Sequence, residues 1–437
     1  MVQETLYSSR NTLLRGWSLL AVASLAIAGL FAILLVVSRI PGMENTVPWP
    51  TAFFQKGLVA HVVLSFAVWY LAVLACLVQV GSNEDVKLCD KAGLYFGVIG
   101  TILLLIPTLL DRGEPTLNNY IPIIIDPLYY LGLIIFALGI FFSIIPVFRT
   151  RFKGPSLKGL GYIYSVSIVA FIFAAIQLSN QPINYDYNEK LMWGGGHILQ
   201  CLNVILLLTA WSYLANQIKP NYPFKIATMW LVIASFVGLG FYIIWDVNDQ
   251  AQTHAFTHLQ KILGPPVLIF SIVLLPTIRD QLKNFKWQDP AILSLWSSVV
   301  VFAVGGFLGI FVDGTDTRTP AHYHGVIGGI NLAFVGLFYT IFLPMLGREV
   351  PSGKLITSQI ILYASGQFLF MIGMFIAGGM GAARKVMGTA IDMDSSIAIL
   401  AARIRDFGGG LAIIGGVLFI YVALKALLKK SKLEIQA

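Results

Sequence analysis

Residues 316–346 read Asp316-Thr-Arg-Thr-Pro-Ala-His322-Tyr-His324-Gly-Val-Ile-Gly-Gly-Ile-Asn-Leu-Ala-Phe-Val-Gly-Leu-Phe-Tyr-Thr-Ile-Phe-Leu-Pro-Met-Leu346. A polar segment with two histidines runs directly into an apolar stretch that has no Asp, Glu, Lys or Arg until Arg348. That stretch exceeds the roughly 20 residues a helix needs to cross a bilayer. Imidazoles at the lip of a spanning helix are expensive there and mark function. On a helix, positions two apart point about 200° from each other, so His322 and His324 can serve two different groups.

The other histidines fall in the same kind of place. His61 lies in an apolar run that begins at Gly57, His197 closes Trp193-Gly-Gly-Gly-His197, and His254 and His258 lie in Thr253-His-Ala-Phe-Thr-His258. These are all six histidines of the chain. Imidazole is the commonest haem and metal ligand, so a redox metal centre is the first expectation.

Around this constellation the chain reads as an all-α integral membrane protein. Apolar residues make up 57% and charged residues 11%, against about 25% charged in a soluble domain. Runs of spanning length recur at 16–38, 57–80, 92–110, 126–147, 159–179, 193–216, 225–246, 256–277, 290–312, 322–346, 356–378 and 407–428, separated by turns rich in Pro, Gly, Asn and Asp. Twelve transmembrane helices in one membrane domain, 1–437, are the expected organisation. The first run is long enough to span and no small-residue cleavage site ends it, so it is expected to stay. Cys76, Cys89 and Cys201 form no CxxC or CxxCH, which disfavours covalent haem c, structural zinc and a disulfide framework.

Of the 29 basic residues, 19 lie on the N-terminus, alternate loops and the C-terminus, Arg10, Lys87, Arg149, Lys219, Arg279, Arg348 and Lys430 among them. Both termini are therefore expected in the cytoplasm. The even-numbered helices then start at the outer face and carry all six histidines toward it. The net charge of +8 is explained by this distribution and needs no nucleic acid.

Two haems flanking the tenth helix would use both faces of His322-Tyr-His324. His61 on the second helix could complete one haem as its second axial ligand, and the other haem would keep an open face. His197 on the sixth helix is left for a further metal. Gly194–Gly196 remove side-chain bulk, so a helix or a macrocycle can approach closely there.

These residues resemble the catalytic subunit of the haem–copper oxidase superfamily, which includes the nitric oxide reductases. Asp316-Thr-Arg-Thr-Pro-Ala-His322-Tyr-His324 is similar to that family's Asp-Thr…Ala-His-Phe-His motif at the tenth helix. The resemblance implies a subunit I-like twelve-helix fold in a bacterial or archaeal cytoplasmic membrane, with the redox site near the outer face. It implies His322 as ligand of a high-spin haem b, His61 and His324 as the axial pair of a low-spin haem b, and His197 as ligand of a non-haem iron or copper. Arg384-Lys385 resembles the basic pair at the haem propionates, although it also reads as an ordinary solvated pair. By the same analogy, electrons come from a partner subunit carrying haem c or a cupredoxin-type copper.

The pattern departs from the family in three places. The seventh helix ends Phe241-Tyr-Ile-Ile-Trp-Asp246 without the usual adjacent histidines. Either His254 and His258, four apart on one helical face, or Asp246 would complete the non-haem site, and a carboxylate there would favour iron. Four residues after His197, where many oxygen-reducing members carry a tyrosine, stands Cys201. The spans hold few Asp, Glu or Lys; the acids near the site are Asp186, Glu189, Asp246, Asp249, Asp313 and Asp316. The expectation is a nitric oxide reductase that takes protons from outside and pumps none. The alternatives are a cytochrome c or quinol oxidase and, in another class, a haem sensor or carrier without turnover.

Overall fold

The computed structural model describes residues 2–37, 51–82, 85–149, 157–216, 222–283, 288–312, 314–348, 350, 353–384 and 395–429. Among them, twelve helices are long and apolar enough to cross a membrane. They are α1 Ser9–Val37, α2 Phe54–Gly81, α3 Leu88–Leu109, α4 Pro127–Arg149, α5 Leu157–Gln177, α6 Tyr185–Leu214, α7 Tyr222–Ile244, α8 Gln250–Leu274, α9 Pro290–Phe311, α10 Arg318–Met345, α11 Lys354–Gly379 and α12 Ser396–Leu428. Each matches one expected apolar run.

Several helices begin well before their apolar edge, α6 and α12 among them. α6 starts at Tyr185, where Asn184 accepts a hydrogen bond from the Tyr187 N–H at 2.9 Å. His197 therefore lies about three turns inside the helix rather than at its lip. α12 starts at Ser396, with the Ser395 side chain taking the Ile397 N–H. The loop expected over 379–406 is correspondingly shorter, and Arg403 and Arg405 are helical.

The chain divides into two compact units. The first holds α2–α5, α7 and α8, with most of α1 and α6. Within it α6 is central, since 83% of its most apolar stretch is buried, against 22% for α8. α3 and α4 meet through glycine. A Cβ on Gly100 would stand 2.5 Å from the Phe136 N, and one on Gly139 2.5 Å from the Gly97 N. Backbones this close are how helices gain packing where lipid is as apolar as the side chains. A short hairpin, β1 Glu114–Thr116 and β2 Ile123–Ile125, joins α3 to α4 with Glu114 opposite Ile125 and Thr116 opposite Ile123. The run Ile121-Pro-Ile-Ile-Ile125 suits a strand better than a turn, and the all-helical expectation passed over it.

The second unit holds α9–α12. α9 and α10 touch at Gly305 and Gly325: a Cβ on Gly305 would fall 2.5 Å from the Gly325 carbonyl carbon. α11 and α12 close in the same way, Gly415 lying on the Tyr363 backbone. Single π-helical stretches interrupt α2 at Val63–Val68 and α10 at Phe338–Phe342. The first begins two residues after His61, a place where π-turns are often tied to function.

Candidate haem and metal centre

His61 is half-buried in α2, and its Nδ1 lies 2.9 Å from the Ala28 carbonyl of α1. A carbonyl can only accept, so Nδ1 carries the proton and Nε2 carries the lone pair. The Ser65 hydroxyl donates to the His61 carbonyl at 2.6 Å, at the start of the π-turn. His322 in α10 repeats the device. Its Nδ1 donates to the Gly305 carbonyl of α9 at 2.8 Å, and Gly309 makes room, because a Cβ there would meet that Nδ1 at 2.6 Å. An N–H anchored on a carbonyl fixes ring orientation and raises the basicity of the other nitrogen, as in metal-bound histidines. His324 is half-buried and sits edge-on to Phe370, ring centroids 4.9 Å apart.

The approach to α10 is stitched to the segment after α11. Asp316 bridges to Ala383, and the Thr317 N–H donates to the Ala382 carbonyl at 2.9 Å. The Asp316 carboxylate takes the Arg318 guanidinium at 2.6 and 2.9 Å and the Arg318 N–H at 2.8 Å. This pairing places Arg384 one residue from the bridge, beside the histidine motif. Lys385 and Asp313 lie outside the described residues. His61 and His322, each with Nδ1 held by a carbonyl, present the kind of imidazole Nε2 that ligates haem iron.

The α6 site is built differently. His197 is 2% exposed. Its Nδ1 donates to the Trp193 carbonyl, 2.7 Å away, one turn back on the same helix. Its Nε2 takes the Tyr120 hydroxyl at 2.9 Å, and the Gln260 amide reaches that hydroxyl at 3.5 Å. Rings pack around the imidazole, with centroids at 4.6 Å for Trp193, 4.6 Å for Tyr120 and 5.5 Å for Phe256. The three glycines are explained by these rings. Tyr120 lies on Gly196, where a Cβ would meet it at 2.6 Å; Phe171 covers Gly195; Phe256 and the Tyr242 hydroxyl cover Gly194.

His254 and His258 do share one face of α8, as their spacing predicts, but that face is exposed. The buried face presents Gln252, Phe256 and Leu259, and it is Phe256 that reaches His197. Asp246 is also exposed and turns back on its own loop, accepting from the Asn248 N–H at 2.9 Å and amide at 2.7 Å. The structure brings none of the three to His197. Among the described residues no cluster of three His, Cys, Asp or Glu side chains could hold a metal.

The sequence profile of the family described as cytochrome c and quinol oxidase polypeptide I matches residues 13–409. This chain belongs to that family. It is an integral-membrane oxidoreductase of the haem–copper type. It is similar to an uncharacterized protein of Rickettsia prowazekii (strain Madrid E), 28% identical over 98% of this chain and 99% of the relative. It is also similar to an uncharacterized protein of Aquifex aeolicus (strain VF5), 27% identical over 77% of this chain and 86% of the relative. A haem–copper terminal oxidase dimer solved by electron cryo-microscopy shares the fold, with TM-score 0.74 at 17% identity over 97% of this chain and 85% of that one.

Within this oxidase family fold, Tyr120 is the residue that sequence reasoning missed. It lies 77 positions from His197, and its backbone is left-handed, φ 65°. Neighbouring Asn119 is clamped by Glu189 of α6 through its N–H at 2.8 Å and its amide at 2.5 Å. Burial, with the Glu189 carboxylate adding to it, pushes the phenol pKa up. The hydroxyl therefore stays protonated and donates. Two cues stood in the sequence: the strand-forming isoleucines after Tyr120 and the three bare glycines awaiting a partner.

Proposed function

We propose that this oxidase-family chain is the membrane subunit of a terminal reductase that reduces nitric oxide: 2 NO + 2 H⁺ + 2 e⁻ → N₂O + H₂O. Two haems b, when bound, would supply the one-electron redox chemistry. His322 would hold the high-spin haem, and His61 and His324 would hold the low-spin haem as axial ligands. Arg384, with Lys385, would neutralise propionates. Family membership supports the pairing of His61 with His324. The carbonyl-anchored Nδ1 of His61 and of His322 supports both as ligands. Electrons would come from a partner carrying haem c or cupredoxin-type copper.

The observation that carries nitric oxide over oxygen is the set of neighbours of His197. Among the described residues neither His254 nor His258 nor Asp246 joins it, which supports ligand sets for two iron centres. Two centres store two electrons, the number that coupling two NO consumes, whereas reducing O₂ to water consumes four. Proton supply supports the same reading. Among the described residues the buried Asp, Lys and Arg side chains are Lys56, Asp90, Asp126, Asp316 and Arg348. All lie at or just outside helix ends, and none is a mid-membrane relay. One observation favours oxygen as a second reading: the Tyr120 phenol beside His197 is a group able to give a further electron.

The test is the purified complex in liposomes with an artificial electron donor, under NO and under O₂. N₂O formation without outward acidification is expected. Rapid O₂ consumption with proton release and no N₂O would promote the oxidase reading. Reduced haem that turns over neither gas would leave a sensor or carrier.

A further inference from the structure

We infer that His197 binds no metal and is instead the acceptor of a tyrosine plug, in which the Tyr120 hydroxyl stands where a metal ion would meet Nε2. A metal-ligating imidazole needs its lone pair directed at the ion, at about 2.0–2.1 Å for zinc, with at least two further protein ligands around it. Here the Nε2 lone pair already points at a phenolic O–H. The proton on Nδ1 is committed to the Trp193 carbonyl, so the tautomer is fixed and the hydrogen bond from Tyr120 is of one sense.

The surroundings were built for a ring rather than an ion. Gly196 is bare where Tyr120 lies flat against α6. The hairpin tip that carries Tyr120 is held to α6 at a second point by Glu189 and Asn119. Trp193 and Phe256 pack aromatic carbon against the imidazole, with ring centroids 4.6 and 5.5 Å away. Gln260, near the Tyr120 oxygen, brings an amide N–H and donates. A phenol that donates to Nε2, accepts from the Gln260 amide and lies among aromatic rings is held as a neutral, protonated phenol. The proposal deepens the reading above, which draws on the same neighbours of His197, but it is tested by metal content whereas the choice of NO or O₂ is tested by turnover.

The experiment is elemental analysis against haem content, on the full-length protein purified from cells supplied with added iron and copper. Iron equal to haem and no copper is expected. Tyr120→Phe should match, since among the described residues no group of three His, Cys, Asp or Glu side chains includes this imidazole. An additional metal near one per chain, lost in His197→Ala with haem retained, would overturn the inference. So would a metal gained by Tyr120→Phe. An extra metal that survives His197→Ala sits elsewhere and leaves His197 metal-free, as inferred. If His197→Ala does not fold, His197→Gln serves in its place, since Gln retains an acceptor for the phenol.

Discussion

His197 is buried and His322 half-buried, each with a carbonyl on Nδ1, yet their neighbours prepare them for opposite tasks. At His322 the anchor comes from a separate helix, α9, and Gly309 clears space around the ring. At His197 the anchor comes from its own helix, and the space that glycine clears is filled by Tyr120. The contrast teaches that a histidine in a membrane helix is read through its second nitrogen. The group facing Nε2 decides whether the ring ligates or merely accepts a hydrogen bond.

The sharpest way to break this comparison is to remove each ligating ring. His322→Ala should abolish CO binding and lower turnover at least roughly 100-fold, since even supporting residues of a metal site are worth 10–100-fold. His61→Ala should erase the six-coordinate low-spin spectrum and keep CO binding at the other haem. A low-spin spectrum that survived would detach His61 from the account.

Crowding the ring without removing it gives a smaller effect. Gly309→Ala places a methyl 2.6 Å from Nδ1 of His322. The ring must turn off the Gly305 carbonyl, and a loss on the order of tens-fold in activity or haem affinity follows. CO-recombination kinetics and haem content would register it; unchanged values would mean the anchor is unimportant.

At the other site the effects fall on stability. Tyr120→Phe leaves Nε2 of His197 buried without its donor, at a cost of about 1–3 kcal/mol, visible as a lower Tm with unchanged haem spectra. The pH dependence has a definite sign. The Tyr120 pKa is raised in the fold, so its contribution is whole below about pH 10, the ordinary tyrosine value, and is lost as pH rises through the folded value. Tyr120→Phe should therefore show a shallower decline of Tm above that pH than the unaltered protein. Smallest of all, His254→Ala with His258→Ala changes an exposed face, and stability should move by no more than about 0.5 kcal/mol. A larger loss, or loss of metal, would bring these histidines back to the site.

The twelve spans were legible because lipid imposes a long apolar run on each, and the His322-Tyr-His324 spacing was legible because helical geometry is local. What was not legible is what the chain brings from afar. The i, i+4 spacing of His254 and His258 predicts a shared face but says nothing about which face is buried, and Gln252, Phe256 and Leu259 take that face. Asn184 and Ser395 cap α6 and α12 ahead of their apolar edges, so helices judged by hydropathy alone begin too late. Tyr120 sits in a connection that reads as a turn. Its role follows from Glu189, Gly196 and His197, which the fold assembles around it.

Haem counting in two variants tests the contrast most directly. Purified His322→Ala and His197→Ala are each assayed for haem per chain, beside the unaltered protein. Two haems are expected in the unaltered protein and in His197→Ala, and one in His322→Ala. Haem lost from His197→Ala, or both haems retained in His322→Ala, would contradict the assignment of ligation to His322 and hydrogen bonding to His197.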